Sequence, residues 1–106
     1  MRTLVLVLLL ASGAARASET ENLFSDKCAN CHGDDGRGRT RMGRKFHAPD
    51  FTRKGWQGRT TNRQMRSAIL HGITVNGQRR MPGWQGKLAP DQIDALVGYV
   101  RRFARK

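Results

Sequence analysis

The sequence has little acidic charge and no nucleic-acid-binding motif. Only 8 Asp and Glu residues accompany 20 Lys and Arg residues, which gives a formal net charge of +12. A chain this basic suits an acidic protein, an anionic membrane surface or a nucleic acid as partner. No interleaved aromatic pattern accompanies the basic residues. We therefore expect no nucleic-acid partner, and part of the charge serves simply to solvate the surface.

Long apolar segments are also absent beyond the first residues. The N-terminus matches a secretory signal peptide. It has a basic residue at Arg2, an apolar run from Leu4 to Ala11 and a small-residue cleavage site at Ala15-Arg16-Ala17. The run is too short to span a bilayer, although an uncleaved anchor is the alternative. We expect a signal peptide over residues 1–17, cleavage after Ala17, export to the periplasm without a transmembrane anchor, and one domain over 18–106.

The only two cysteines lie in one run, Cys28-Ala29-Asn30-Cys31-His32. C-x-x-C-H is the attachment motif of c-type haem. Cys28 and Cys31 would form thioethers to the porphyrin, and His32 would ligate the iron. Two intervening residues let one turn of chain present both sulfurs, and the histidine follows on one face of the metal. The motif predicts one covalently attached haem c per chain.

Three other uses of the cysteine pair fit less well. A structural zinc site needs four ligands, but His47 and His71 lie far apart in the sequence. A thioredoxin-like pair should follow a strand in a βαβ pattern, and none surrounds Cys28. A disulfide between Cys28 and Cys31 would close a very small, strained loop.

Met81 is the candidate for the second axial ligand. It precedes Pro82 in a segment predicted to be irregular, after a turn at Asn76-Gly77. A methionine thioether suits haem iron and raises its reduction potential, while proline stiffens the loop. The alternative is ordinary packing. Met42 and His47, in or near the loop predicted after His32, are alternative ligands.

Three helices are predicted from caps and apolar spacing. The first covers Ser18 to Cys31 with Ser18 as its cap. The second begins at Thr60 or Thr61 and ends near His71, which we place at the surface. The third begins at Ala89-Pro90. The apolar face predicted for the second helix contains Met65, Ala68, Ile69 and Gly72. The buried stripe predicted for the third contains Ile93, Leu96, Val97, Val100 and Phe103. No convincing strand pattern is present.

Trp56 is either a core residue or a cover for one edge of the haem. Its indole N–H needs a partner when buried, and a haem propionate would serve. The chain has few residues with which to build a core, and domains of this size are marginal without a covalent or cofactor staple. We therefore predict that the chain folds poorly without haem.

The sequence resembles the small class I c-type cytochromes of the bacterial periplasm. The resemblance rests on Lys27 to Gly33, Pro49 to Thr52, Met81 to Trp84 and Leu96 to Arg101. It implies an all-α cytochrome c fold, with about four helices around one haem and crossing N- and C-terminal helices. It also implies Cys28 and Cys31 as thioether sites, His32 as proximal ligand and Met81 as distal ligand. Cytochrome c′-type bundles carry the motif near the C-terminus, which argues against them.

The predicted function is electron transfer rather than enzymatic catalysis, since His32 and Met81 would fill both axial positions. We expect a monomeric periplasmic carrier that docks on acidic donor and acceptor proteins. One alternative is a dedicated electron-transfer subunit of a periplasmic dehydrogenase or oxidase complex. Another is a haem enzyme or gas-binding protein, which requires that Met81 does not bind iron.

Overall fold

Six helices and one hairpin make up the described part of the chain. The computed structural model describes the backbone of residues 3–105 and the side chains of residues 15–105. The elements, in order, are α1 (Thr3–Lys27), α2 (Ala29–His32), α3 (Arg41–Phe46), α4 (Lys54–Arg59), α5 (Asn62–His71), β1 (Ile73–Val75), β2 (Gln78–Met81) and α6 (Pro90–Arg102), before a 3-10 turn over Phe103–Arg105. The all-α class is confirmed, with more helices than the expected four.

The N-terminal helix differs from its predicted extent. Ser18 does not cap it but lies exposed within α1, which is helical from Thr3. The helix ends before Cys28, whose carbonyl oxygen accepts bonds from the N–H groups of Cys31 at 3.3 Å and His32 at 3.0 Å. The haem motif therefore forms a short helix of its own.

The signal peptide stays a prediction. Arg2 lies outside the described residues, and nothing in the fold tests cleavage after Ala17. No helix in the described part of the chain combines the length and apolar character that a bilayer span requires.

The glycine- and arginine-rich stretch after His32 was predicted to be a loop, but part of it is helical. It contains α3, whose N-cap Thr40 accepts a bond from the Gly43 N–H at 2.8 Å. The Thr40 hydroxyl also donates to the Cys31 carbonyl oxygen at 2.8 Å, which joins α3 to the haem motif. A helix of six residues is too short to show a clear apolar period.

The expectation of no strands was wrong. β1 and β2 form an antiparallel hairpin that pairs Ile73 with Met81 and Val75 with Gln78. Asn76 and Gly77 form its turn with φ of 51° and 78°, the left-handed pair of a type I′ turn. Strands of three and four residues are too short for alternation to be read. Met81 therefore ends a strand rather than lying in an irregular segment.

The first and last helices pack together through aromatic rings. The centre of the Phe24 ring lies 4.9 Å from the centre of the Tyr99 ring and 5.4 Å from that of Phe103. Phe103 is buried as predicted, although it lies in the 3-10 turn beyond α6. The buried apolar residues are Phe24, Phe51, Met65, Ile69, Ile93, Leu96, Val97, Val100 and Phe103.

Both later helices begin where predicted. Thr61 and Gln64 form a capping box at the start of α5. α6 begins at Pro90. Ala89 offers no side-chain cap, but the Gln92 side-chain oxygen accepts the Ala89 N–H at 2.9 Å, as in one half of a capping box. His71 is exposed, as expected.

One arginine of α6 joins the last helix to the corner between α4 and α5. The Arg101 guanidinium donates to the Thr60 carbonyl at 2.6 Å and to the Asn62 side chain at 2.8 Å. It also donates to the carbonyl and side-chain oxygens of Gln57 at 2.7 and 2.9 Å. These bonds fix the segment that carries Trp56.

Replacement of Arg101 by alanine is expected to lower the free energy of unfolding by about 2–3 kcal/mol, because hydrogen bonds to a charged group are lost. Arg102→Ala is the control, since Arg102 is exposed and its guanidinium carbon lies 5.7 Å from the centre of the Tyr99 ring. This variant should cost less than about 1 kcal/mol. Denaturant unfolding of the haem-loaded variants measures both. Equal losses would contradict this role for Arg101.

Candidate haem site

A largely apolar cavity of about 430 Å³ lies at the centre of the fold. It is within the size range of cofactor sites. α1, α2, α4, α5, the hairpin and α6 all contribute to its walls. The residues that line it are Phe24, Cys28, His32, Pro49, Phe51, Trp56, Arg59, Thr60, Gln64, Met65, Ala68, Ile69, Ile73, Met81, Leu96 and Val100. Of the five predicted site residues, the list contains Cys28, His32, Trp56 and Met81 but not Cys31.

His32 is held in the form that binds metals. It is only 9% exposed, and burial lowers its pKa to about 4, so the imidazole is neutral at physiological pH. Its ring stacks on Phe51 with centroids 4.6 Å apart and planes at 21°. Nδ1 is buried and has no hydrogen-bond partner among the described residues. A neutral imidazole on the wall of a largely apolar cavity fits a haem ligand.

The two cysteines occupy different positions relative to the cavity. Both thiols are free. Cys28 lines the cavity. Its pKa is raised to about 11, mainly by burial and to a smaller extent by repulsion from the nearby Cys31. Burial also raises the pKa of Cys31, which is not among the cavity-lining residues. The assignment of Cys31 as a thioether site therefore rests on the C-x-x-C-H spacing.

Two methionines line the cavity, although the sequence singles out one as a ligand. Met81 is half-buried at the end of β2, beside its strand partner Ile73. Met65 of α5 is 5% exposed and belongs to the core, as predicted. The alternative ligands are not brought to the cavity. Met42 lines a separate surface pocket, and His47 is exposed at the end of α3.

Polar side chains line the cavity at the corner between α4 and α5. Trp56 is half-buried and packs on Phe51 with ring centroids 4.8 Å apart. Arg59 follows Trp56 at three residues and shares its face of α4. Thr60 comes directly after that helix, and Gln64 lies in the first turn of α5. The sequence interpretation singled out Trp56 and missed Arg59. The signal available in the sequence was the three-residue spacing from Trp56 to Arg59, which places both residues on one face of a helix.

Comparison with known proteins identifies the family. The family model described as "Cytochrome C oxidase, cbb3-type, subunit III" matches residues 15–100. The chain is 34% identical over 84 residues to the cbb3-type cytochrome c oxidase subunit FixP of Bradyrhizobium diazoefficiens, a match that covers 79% of this chain and 26% of that protein. It is 31% identical over 87 residues to subunit CcoP of Cereibacter sphaeroides, with 82% and 27% covered. The chain thus spans about a quarter of the length of these relatives.

A solved structure shares the fold. The KustC0563 c-type cytochrome matches with a TM-score of 0.70 and 31% identity, over 78% of this chain and 94% of that one. The predicted class I c-type cytochrome resemblance and the haem c cofactor are confirmed. This chain is a c-type cytochrome domain with covalently bound haem c, and it belongs to the family of cbb3-type cytochrome c oxidase subunit III.

Proposed function

We propose that this chain is an electron-transfer subunit of a periplasmic oxidase complex. One observation carries the electron-transfer role: a single apolar cavity brings together Cys28, His32 and Met81. The relatives FixP and CcoP are named as subunits of cbb3-type oxidases. They therefore favour the alternative of a complex subunit over the freely diffusing carrier that we expected first.

The residues have separate roles in this proposal. When bound, haem supplies a one-electron ferric/ferrous couple. Cys28 and Cys31 would hold it covalently, and His32 and Met81 would both supply ligands to its iron, so no coordination site would remain for a substrate. The largely apolar walls of the cavity would keep the surroundings of the two ligands low in polarity, which influences the reduction potential. The chain therefore transfers electrons without itself making or breaking substrate bonds.

The polar corner of the cavity supports an assignment for the propionates. Arg59 offers a charged donor, and Trp56 offers an indole N–H. Thr60 and Gln64 add uncharged donors in the same wall. We propose that this corner receives the propionate end of the haem, so Arg59 joins Trp56 as a contact residue.

A basic surface beside the haem motif supports docking of an acidic partner. The ammonium groups of Lys27 and Lys87 each lie 5.8 Å from the centre of the Trp84 ring. Both lysines are exposed and Trp84 is half-buried. Lys27 directly precedes Cys28, and Trp84 lies three residues after Met81. This Lys–Trp surface (Lys27, Trp84 and Lys87) combines an aromatic anchor with positive charge next to the proposed site.

The test is purification of the haem-loaded chain from its native host in mild detergent at low ionic strength. We expect stoichiometric co-elution with the other subunits of a haem–copper oxidase, identified by mass spectrometry. The double variant Lys27→Glu with Lys87→Glu should slow electron delivery from an acidic donor protein to the haem of this chain about tenfold, because opposite charges steer association. High salt should reduce the difference between variant and wild type.

The matched control is Lys54→Glu with Arg105→Glu, which makes the same change in charge at exposed residues outside the Lys–Trp surface. It should leave electron delivery within about twofold of wild type if the effect is local rather than due to net charge. A chain that elutes alone and exchanges electrons with separate acidic proteins would instead support the free carrier.

A further inference from the structure

The segment that carries Met81 is held against the C-terminal end of α5. The backbone N–H of Trp84 donates to the Ile69 carbonyl at 2.8 Å, and that of Gln85 donates to the Leu70 carbonyl at 3.1 Å. The last carbonyls of a helix have no partner within it. The segment after Met81 therefore supplies the partners that the end of α5 lacks.

Two glycines permit this close approach. A Cβ on Gly72 would overlap the carbonyl oxygen of Met81 and would lie 2.8 Å from the backbone nitrogen of Gly83. A Cβ on Gly83 would lie 2.7 Å from the Leu70 carbonyl oxygen and 2.8 Å from the carbonyl carbon of His71. All of these neighbours are backbone atoms, which cannot turn aside as a flexible side chain can.

We propose that Gly72 and Gly83 are positioning residues that set where the Met81 thioether stands in the cavity. Gly72 lies between α5 and β1, and the next residue, Ile73, pairs with Met81 across the hairpin. A side chain at either glycine would push the end of β2 away from α5. The inference rests on the proposed axial ligation by His32 and Met81.

This role is distinct from a contribution to stability alone. Ile69, in the last turn of α5, lines the same cavity as Met81, so a shift of the end of β2 away from α5 would displace the Met81 sulfur within that cavity. The shift should weaken the iron–sulfur bond in the folded protein. A purely structural substitution would lower the unfolding midpoint and leave the axial ligands unchanged.

The test is Gly83→Ala in the haem-loaded protein. No strained backbone is added, because Gly83 does not have a positive φ. We expect a weaker near-infrared methionine–iron band, a lower reduction potential, and about tenfold tighter binding of imidazole to the ferric protein. The last change follows because an added ligand binds in proportion to the fraction of molecules that have released Met81. Gly98→Ala is the control, since a Cβ there meets nothing within 4 Å.

A second pair of variants keeps the test decisive if Gly83→Ala does not fold. Gly72→Ala, at φ +74°, is compared with Gly86→Ala, which has φ +78° and no contact within 4 Å. Only Gly72→Ala should weaken the band. If the band and imidazole affinity of the Gly72 and Gly83 variants equal those of their controls, the positioning role is overturned while the axial ligation stands. If wild-type protein lacks the band, the ligation itself fails, and the inference fails with it.

Discussion

Met81→Ala is expected to abolish the near-infrared charge-transfer band of the oxidised, haem-loaded protein. It should also lower the reduction potential by about 0.1 V or more, within the roughly 0.8 V range that axial ligands set. The reason is that Met81 contributes a thioether to the cavity that also holds His32. Optical spectra and a potentiometric titration of wild type and variant measure the two effects.

Met65→Ala is the matched control, because Met65 lines the same cavity. Its loss should lower the free energy of unfolding by about 2–5 kcal/mol as a buried truncation, yet the band should stay. Loss of the band in Met65→Ala alone would assign the distal ligand to α5. A wild-type protein that lacks the band and binds carbon monoxide when reduced would indicate an open sixth position, which favours a haem enzyme or gas-binding protein.

The second large effect is expected from replacing both Cys28 and Cys31 by alanine. The double variant should carry no covalent haem and should lose cooperative unfolding. The described core surrounds a cavity of about 430 Å³ rather than closing on itself, and domains of this size are marginal without a staple. Mass spectrometry of the denatured chain detects the attached haem, and circular dichroism follows unfolding.

Asn30→Ala is the control for the cysteine variant. Asn30 is exposed between the two cysteines, and it accepts the Thr40 hydroxyl through its backbone carbonyl, a bond that the substitution leaves in place. It should keep covalent haem and a cooperative transition. A double cysteine variant that unfolds cooperatively without haem, at the wild-type midpoint, would contradict the prediction that covalently bound haem stabilises the fold.

Most of the chemistry of the site can be predicted from short stretches of the sequence. Cys28, Cys31 and His32 are adjacent, so their spacing alone indicates haem attachment. The Thr61 cap and the apolar stripe of α6 are likewise local patterns, and the structure confirms both. Arg59 was missed because its relevance depends on α4, a helix of six residues that shows no clear period.

Several features depended on contacts between distant parts of the chain. Nothing near Ser18 indicates that the helix begins well before it, or that Cys28 ends it. The hairpin has strands too short for alternation, so only its Asn76-Gly77 turn was visible. The unpartnered Nδ1 of His32 and the presence of Met65 in the same cavity likewise appear only in the folded chain.

The sequence by itself determined the cofactor, the class of fold and the pair of candidate axial ligands, because covalent attachment and helix caps are encoded within a few residues. Only the tertiary structure decided which side chains share a cavity with His32, and how Gly72 and Gly83 bring Met81 against α5. The physical reason is that close packing of backbone on backbone joins residues far apart in the sequence. No local pattern of residue types records such a contact.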